Sequence, residues 1–379
     1  MLPLEGIRVL DLSEILPGPY ATLMLADFGA EVIKIERPGG DYVRSIGPFI
    51  NGISARHLLL NRNKKSIVLN MKSKEEREIF YKLAEKSDVV VEGFRPGVVD
   101  RLGIGYEAIS KINPMIIYCS ISSYGQSGPY RNFTGHDVNF CGIAGILDMT
   151  GERGRCPVVP GLLLGDMAGG GLMAVIGILI ALRARELSGR GQYIDISMLD
   201  GVVSTLNAFV GDYFATDRSP TRGQPAETRM LGYACYRVYQ TKGESYVALG
   251  AFAEAEWSNF CHSVGRNDLI ELQFVPEKQG ELMAEVQQIF LTRTGAEWVK
   301  ELSAVGVPIS SVNTLAEALS DPHVLHRQMV TEIEHPTVGR VKQLGIPIKL
   351  TSTPGRVRMP APALGEHTSE ILREFGISA

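Results

Sequence analysis

Apolar and polar positions alternate along the first half of the chain in two different rhythms. Residues 7–12 (Ile-Arg-Val-Leu-Asp-Leu) and Glu31 to Glu36, with Val32, Ile33 and Ile35, form short β-branched runs that predict strands. Ser66 to Leu69, Asp88 to Glu92 and Met115 to Ser120 carry the same pattern. Between them, Tyr20 to Phe28 has helical apolar spacing that stops at Gly29, and Lys74 to Lys86 reads as an amphipathic helix. Strands that alternate with helices predict α/β layers around a mainly parallel sheet. Functional loops of such a sheet lie beyond the carboxyl ends of its strands. Leu16-Pro17-Gly18, Arg37 and Gly93-Phe94-Arg95 fall at such ends.

The rhythm breaks between Asp217 and Thr228, where a polar stretch bearing Pro and Gly predicts a linker. Beyond it, Tyr236 to Gly250 predicts a hairpin turning at Lys242-Gly243-Glu244. Helices are expected at Ala255 to Val264 and Ala296 to Ala304, strand pattern at Pro336 to Leu350, and a short helix from Ser369 to Phe375. The most apolar run, Leu172 to Leu182, ends at Arg183 and Arg185. It is shorter than the roughly 20 residues that span a bilayer and is expected to be a buried core helix.

Length and composition narrow the class. A chain of 379 residues outgrows one ordinary core and predicts two domains. Hydrophobic residues make up 45% and charged residues 21%, with a net charge of -4, so no nucleic-acid partner and no membrane partner are expected. Five scattered cysteines without metal-ligand spacing read as reduced thiols, and no signal-like segment opens the sequence. A cytoplasmic protein without a metal site is therefore expected.

Three features suggest chemistry. Gly165-Asp166 is followed by Met-Ala and three glycines, Gly169 to Gly171. Glycines weaken a helix but admit close approach to its backbone, and a carboxylate there suits a base or nucleophile, or a simple helix cap. Gly135-His136-Asp137 offers a histidine, the side chain best matched to proton transfer near neutrality, next to a carboxylate that orients it or caps the following helix. Arg37, Arg44, Arg62, Lys64, Lys65, Lys72, Arg95 and Arg101 lie near strand ends and would suit a polyanionic ligand if they gather at one cleft. No P-loop motif is present, and Gly103-Ile104-Gly105 is not a full dinucleotide fingerprint.

These residues resemble the class III CoA-transferase (CaiB/BaiF) family, which also contains α-methylacyl-CoA racemase. The resemblance runs through Leu25-Ala26-Asp27-Phe28-Gly29-Ala30-Glu31, Asn61-Arg62-Asn63-Lys64, Phe94-Arg95-Pro96-Gly97, Ser188-Gly189-Arg190-Gly191-Gln192 and Gly365-Glu366-His367-Thr368. It implies a large Rossmann-like α/β domain built from both chain ends, residues 1–215 and 326–379. A 216–230 linker and a smaller α+β domain, 231–325, would lie between, and two chains would form an interlocked homodimer. It places Leu16, Arg37, Leu69, Lys72, Phe94, Arg95 and Arg101 against coenzyme A, which would be part of the substrate; no tightly bound cofactor is implied.

Within the family, transferases resemble one another in an aspartate that attacks the acyl-CoA carbonyl. Asp166 matches it. Racemases pair that aspartate with a histidine, which His136 matches, with Asp137 adjacent. The expected activity is therefore a 2-methylacyl-CoA racemase or epimerase that moves the α-proton between His136 and Asp166, with Gly169 and Gly170 near the enolate. The alternative is a CoA-transferase that passes CoA to a free carboxylate through an Asp166 anhydride. The third reading is a non-catalytic CoA-binding subunit. Two positions depart from the racemase pattern: Ala253 stands where racemases carry a glutamate, leaving Glu254 as the neighbouring support, and Phe140 replaces a tyrosine.

Overall fold

The computed structural model describes residues 1–225 and 231–377, so residues 226–230 of the expected linker lie outside the described residues. The chain forms two compact units. One takes Met1–Ala144, Gly161–Thr205 and Pro322–Ala379. The other takes Gly145–Pro160 and Leu206–Asp321.

The first unit is built around six parallel strands: β1 (Arg8–Asp11), β2 (Glu31–Glu36), β3 (Lys64–Val68), β4 (Val89–Glu92), β5 (Ile117–Ser122) and β6 (Gln192–Ser197). Their order is β3-β2-β1-β4-β5-β6, the doubly wound order, whose direction reverses between β1 and β4. Alternate residues feed opposite faces. Leu10, Ile33, Val90 and Tyr118 join one core, and Val9, Val32, Val89, Val91 and Ile117 the other. Both faces are covered, which explains why Val89-Val90-Val91 is an unbroken apolar run. The returning C-terminal segment adds no strand to this sheet. It contributes an antiparallel hairpin, Val330–His335 with Gly339–Leu344, and a helix, Thr368–Glu374, whose Ile371 and Leu372 enter the first core.

Charges buried beside the strand ends fix the loops above them. Lys64 donates to Asp11 at 3.1 Å, Arg62 is paired with Asp27 at 2.7 Å, and Arg44 with Glu36 at 2.6 Å. Burial acts against the Asp11 carboxylate, yet Lys64 and Lys34 bring it down to about 2; burial pulls Lys64 down to about 8. Lys65 pairs with Glu31 and Glu370, both at 2.8 Å. These four cations hold the fold together, and the expectation that they gather around a ligand is corrected accordingly. Lys34 binds Asp41 at 2.8 Å and the Ser13 carbonyl at 2.9 Å, while Asp41 accepts from the Ile15 amide at 3.1 Å. This clamp holds Ile15, a β-branched residue, at a φ of 71°. Helix α1 (Pro17–Asp27) starts directly after it. Gly18 is required there, because a Cβ would lie 2.2 Å from the Ser13 side chain.

The apolar run is longer and less buried than its sequence suggests. A π-helical stretch, Gly165–Leu172, continues without a break into helix α5 (Met173–Ser188). Helices α2 (Lys74–Glu85), α3 (Val98–Leu102) and α4 (Asp137–Ile143) precede it. Together Gly165–Ser188 make 24 residues, long and apolar enough by length and composition to cross a membrane. Ala174, Val175, Ile178, Ala181 and Leu182 pack inward, but Ile176, Leu179, Ile180 and Leu187 are exposed. The expected fully buried helix is therefore corrected to a helix with one buried face.

The second unit holds an antiparallel sheet, Ile309–Ser311 beside Tyr246–Gly250 beside Tyr236–Gln240, packed with helices around Trp257, Phe260, Phe290 and Trp298. It also draws in residues 145–160, which the sequence reading assigns to the large domain. Arg222 accounts for the difference, donating to the carbonyls of Asp148 and Arg155 at 2.9 Å and of Glu152 at 3.2 Å.

Candidate active site

The reversal of strand order leaves a crevice between the loops after β1 and β4. A cleft of 320 Å³ occupies that place. Its walls come from the loop after β1 (Ser13 to Gly18), the loop after β4 (Gly93 to Pro96), the end of β5 (Ile121 to Ser123), the Arg131–His136 segment, Asp166 and Met198.

Asp137 begins α4 and is buried. Its Oδ1 accepts from the amides of Gly165 at 2.5 Å and Asp166 at 3.1 Å. The carboxylate thus clips the start of the π-helical stretch, so it positions Asp166 rather than orienting the His136 ring. His136 precedes α4, and Asn139 Oδ1 accepts from its backbone amide at 2.9 Å. Asp166 is half-buried in the same cleft as His136. Burial and the Asp137 carboxylate raise its pKa above the ordinary carboxylate value, and His136 opposes them. A carboxylate raised in this way is more basic and more nucleophilic, and both properties serve covalent or proton-transfer chemistry.

The structure brings together only some of the residues expected at coenzyme A. Phe94 and Arg95 line the cleft, and Leu16 sits between its wall residues Ile15 and Pro17. Arg37 is exposed, pairs with Glu14 at 3.1 Å, donates to the Gly40 carbonyl at 3.2 Å and is not on the cleft wall. Leu69 is a core residue, packed with Leu12 and Met71. Lys72 and Arg101 are exposed beyond the strand ends and outside the cleft wall. Gly169 and Gly170 are buried and not on the wall either. A Cβ on Gly169 would lie 2.4 Å from the Met198 carbonyl and one on Gly170 2.9 Å from Pro17, so these glycines serve helix packing. Glu254 is exposed in the second unit, in the first turn of the helix Glu254–Ser263. Phe140 is fully buried and edge-on to Tyr124, at 5.4 Å between ring centres.

Sequence reading missed four residues. Glu14 lines the cleft, and burial raises its pKa. Beneath the Phe94 loop, Glu92 accepts from the Phe94 amide at 2.7 Å, and burial pushes its carboxyl up to about 7. Arg131 and Ser122 are also on the wall. Arg131 lies five residues before His136, and Ser122 two residues beyond a predicted strand, opening the stretch Ser122 to Pro129 that also resembles the family. A larger cavity of 450 Å³ lies among His57, His335 and His367. Each of those rings is tied to the backbone, to Pro362 O, Ala361 O and the Ser66 amide, so this cavity lacks a free reacting group of that kind. Among the described residues no His, Cys, Asp or Glu cluster could hold a metal ion.

The class the structure defines is a doubly wound α/β protein with a raised carboxylate in the cleft at its switch point, where such folds bind ligands. Comparison with known proteins then gives the family. The family model for CoA-transferase family III matches residues 4–368, and the chain belongs to that family. Among its relatives, succinyl-CoA:glutarate CoA-transferase of Mus musculus is 36% identical, covering 99% of this chain and 86% of the relative. Succinyl-CoA:mesaconate CoA-transferase of Haloarcula marismortui is 34% identical, covering 99% and 96%. Acetyl-CoA:oxalate CoA-transferase of Acetobacter aceti is 35% identical, covering 98% and 96%. The crystal structure of a CaiB/BaiF family protein from Brucella suis matches with a TM-score of 0.86 and 31% identity, over 99% of both chains. All three named enzymes are transferases. They favour the alternative activity over the expected racemase.

Proposed function

We propose that this protein is a CoA-transferase that moves CoA from an acyl-CoA to a free dicarboxylate, with Asp166 as the nucleophile. The observation that carries the reading is the raised, half-buried Asp166 carboxylate in the switch-point cleft. The names of the relatives supply the substrate class, since each pairs a CoA thioester with a dicarboxylate. Asp166 attacks the thioester carbonyl and CoA leaves as thiolate, giving a mixed anhydride. The thiolate then attacks the aspartyl carbonyl, releasing the first carboxylate and leaving an aspartyl-CoA thioester. The acceptor carboxylate attacks that thioester, expelling CoA thiolate, which takes the acceptor acyl group and frees Asp166. The cations that meet the CoA phosphates in this reading are Arg95, in the cleft wall, and Arg101 at its margin.

His136 in the same cleft favours a second reading, racemisation through the Asp166–His136 pair. The test is covalent. With an acyl-CoA present, hydroxylamine or borohydride should trap wild-type protein at Asp166. Asp166→Asn should escape trapping and lose transfer by several orders of magnitude, because an amide is a poor nucleophile. Near wild-type transfer by Asp166→Asn would overturn the reading.

A further inference from the structure

Two cleft residues have chemistry that the scheme above leaves unused. Arg131 lies on the segment leading to His136, half-buried in the cleft wall. No carboxylate pairs with its guanidinium among the described residues, whereas the half-buried Arg44 and the buried Arg62 are each paired. An arginine left unpaired beside a cleft is matched by an incoming oxyanion, which its planar fork binds bidentately. Ser122 closes β5 and is only 6% exposed. Its Oγ is buried without a hydrogen-bond partner, although it lines the same cleft. A buried hydroxyl left unpaired is unfavourable, and a bound ligand oxygen would satisfy it.

We infer that Arg131 and the Ser122 hydroxyl form a subsite for the second carboxylate of the acceptor, the group that does not react with Asp166. This deepens the transferase reading and rests on it for the reacting end. Arg131 provides the charge and Ser122 a hydrogen bond. The site would select dicarboxylates over monocarboxylates of equal length. A Cβ on Gly97 would lie 3.5 Å from Arg101 and 3.7 Å from Arg131, so the CoA-phosphate role is the competing assignment for Arg131.

The test measures succinate binding and CoA binding calorimetrically, together with turnover on succinate and on butyrate. Arg131→Gln should weaken succinate binding and lower the succinate-to-butyrate ratio of kcat/KM roughly 10- to 100-fold, while CoA affinity holds. Ser122→Ala should lower the same ratio by a smaller factor with no loss of thermal stability, because it removes an unpaired buried group. Loss of CoA affinity with succinate binding intact in Arg131→Gln would give that residue to the phosphates and overturn the subsite. So would a wild-type protein that binds no succinate. If wild type moves CoA to no carboxylate yet binds succinate through Arg131, the transferase reading falls and the subsite stands.

Discussion

At the scale of single residues, the site is governed by one carboxylate acting on another. Asp137 accepts from the Gly165 and Asp166 amides and its charge helps raise the Asp166 pKa. Asp166 must be ionised to act as nucleophile, so activity should rise with pH through its raised pKa and be lost on acidification. Asp137→Asn keeps a carbonyl acceptor for the two amides but removes the charge. It should move the acid limb of kcat/KM to lower pH, measurable as a pH–rate profile. An unmoved limb would mean that burial alone sets the Asp166 pKa. Asp166 and His136 were legible in the sequence because each sits in a short, glycine-flanked motif. Arg131 and Glu14 were not, since an isolated arginine or glutamate carries no local signature and only the folded loops bring them to one wall.

The elements show where pattern succeeds and where it stops. Short apolar, β-branched runs located all five predicted strands of the large sheet to within a few residues, because both faces of that sheet are buried. The sixth, Gln192–Ser197, escaped because its outer positions are exposed. The basic residues misled for a physical reason: Arg44, Arg62 and Lys64 neutralise the buried acids Glu36, Asp27 and Asp11, and Lys65 pairs with Glu31 and Glu370. The glycines after Asp166 misled likewise. They are small because α6 (Met198–Ser204) crosses there, with Gly201 facing Gly169. Gly169→Ala should destabilise the protein by about 1–3 kcal/mol through overpacking, seen as a lower thermal midpoint. An unchanged midpoint would show that the π-helical stretch can shift to admit a methyl group.

For the molecule as a whole, the exposed row Ile176, Leu179, Ile180 and Leu187 on α5 is a surface that an isolated chain would leave wet. The family resemblance implies an interlocked homodimer, which such a row would serve. Light scattering should give twice the 41.4 kDa chain mass at every workable dilution, and a fully active monomer would refute it. The central claim is that Asp166 transfers CoA rather than racemising an acyl group. It is tested most directly by incubating the protein with an acyl-CoA bearing an α-hydrogen in deuterated water, with and without succinate. CoA transfer that requires succinate, with no deuterium entering the α-position, is the predicted result. Deuterium uptake without any acceptor, and no transfer with one, would contradict it.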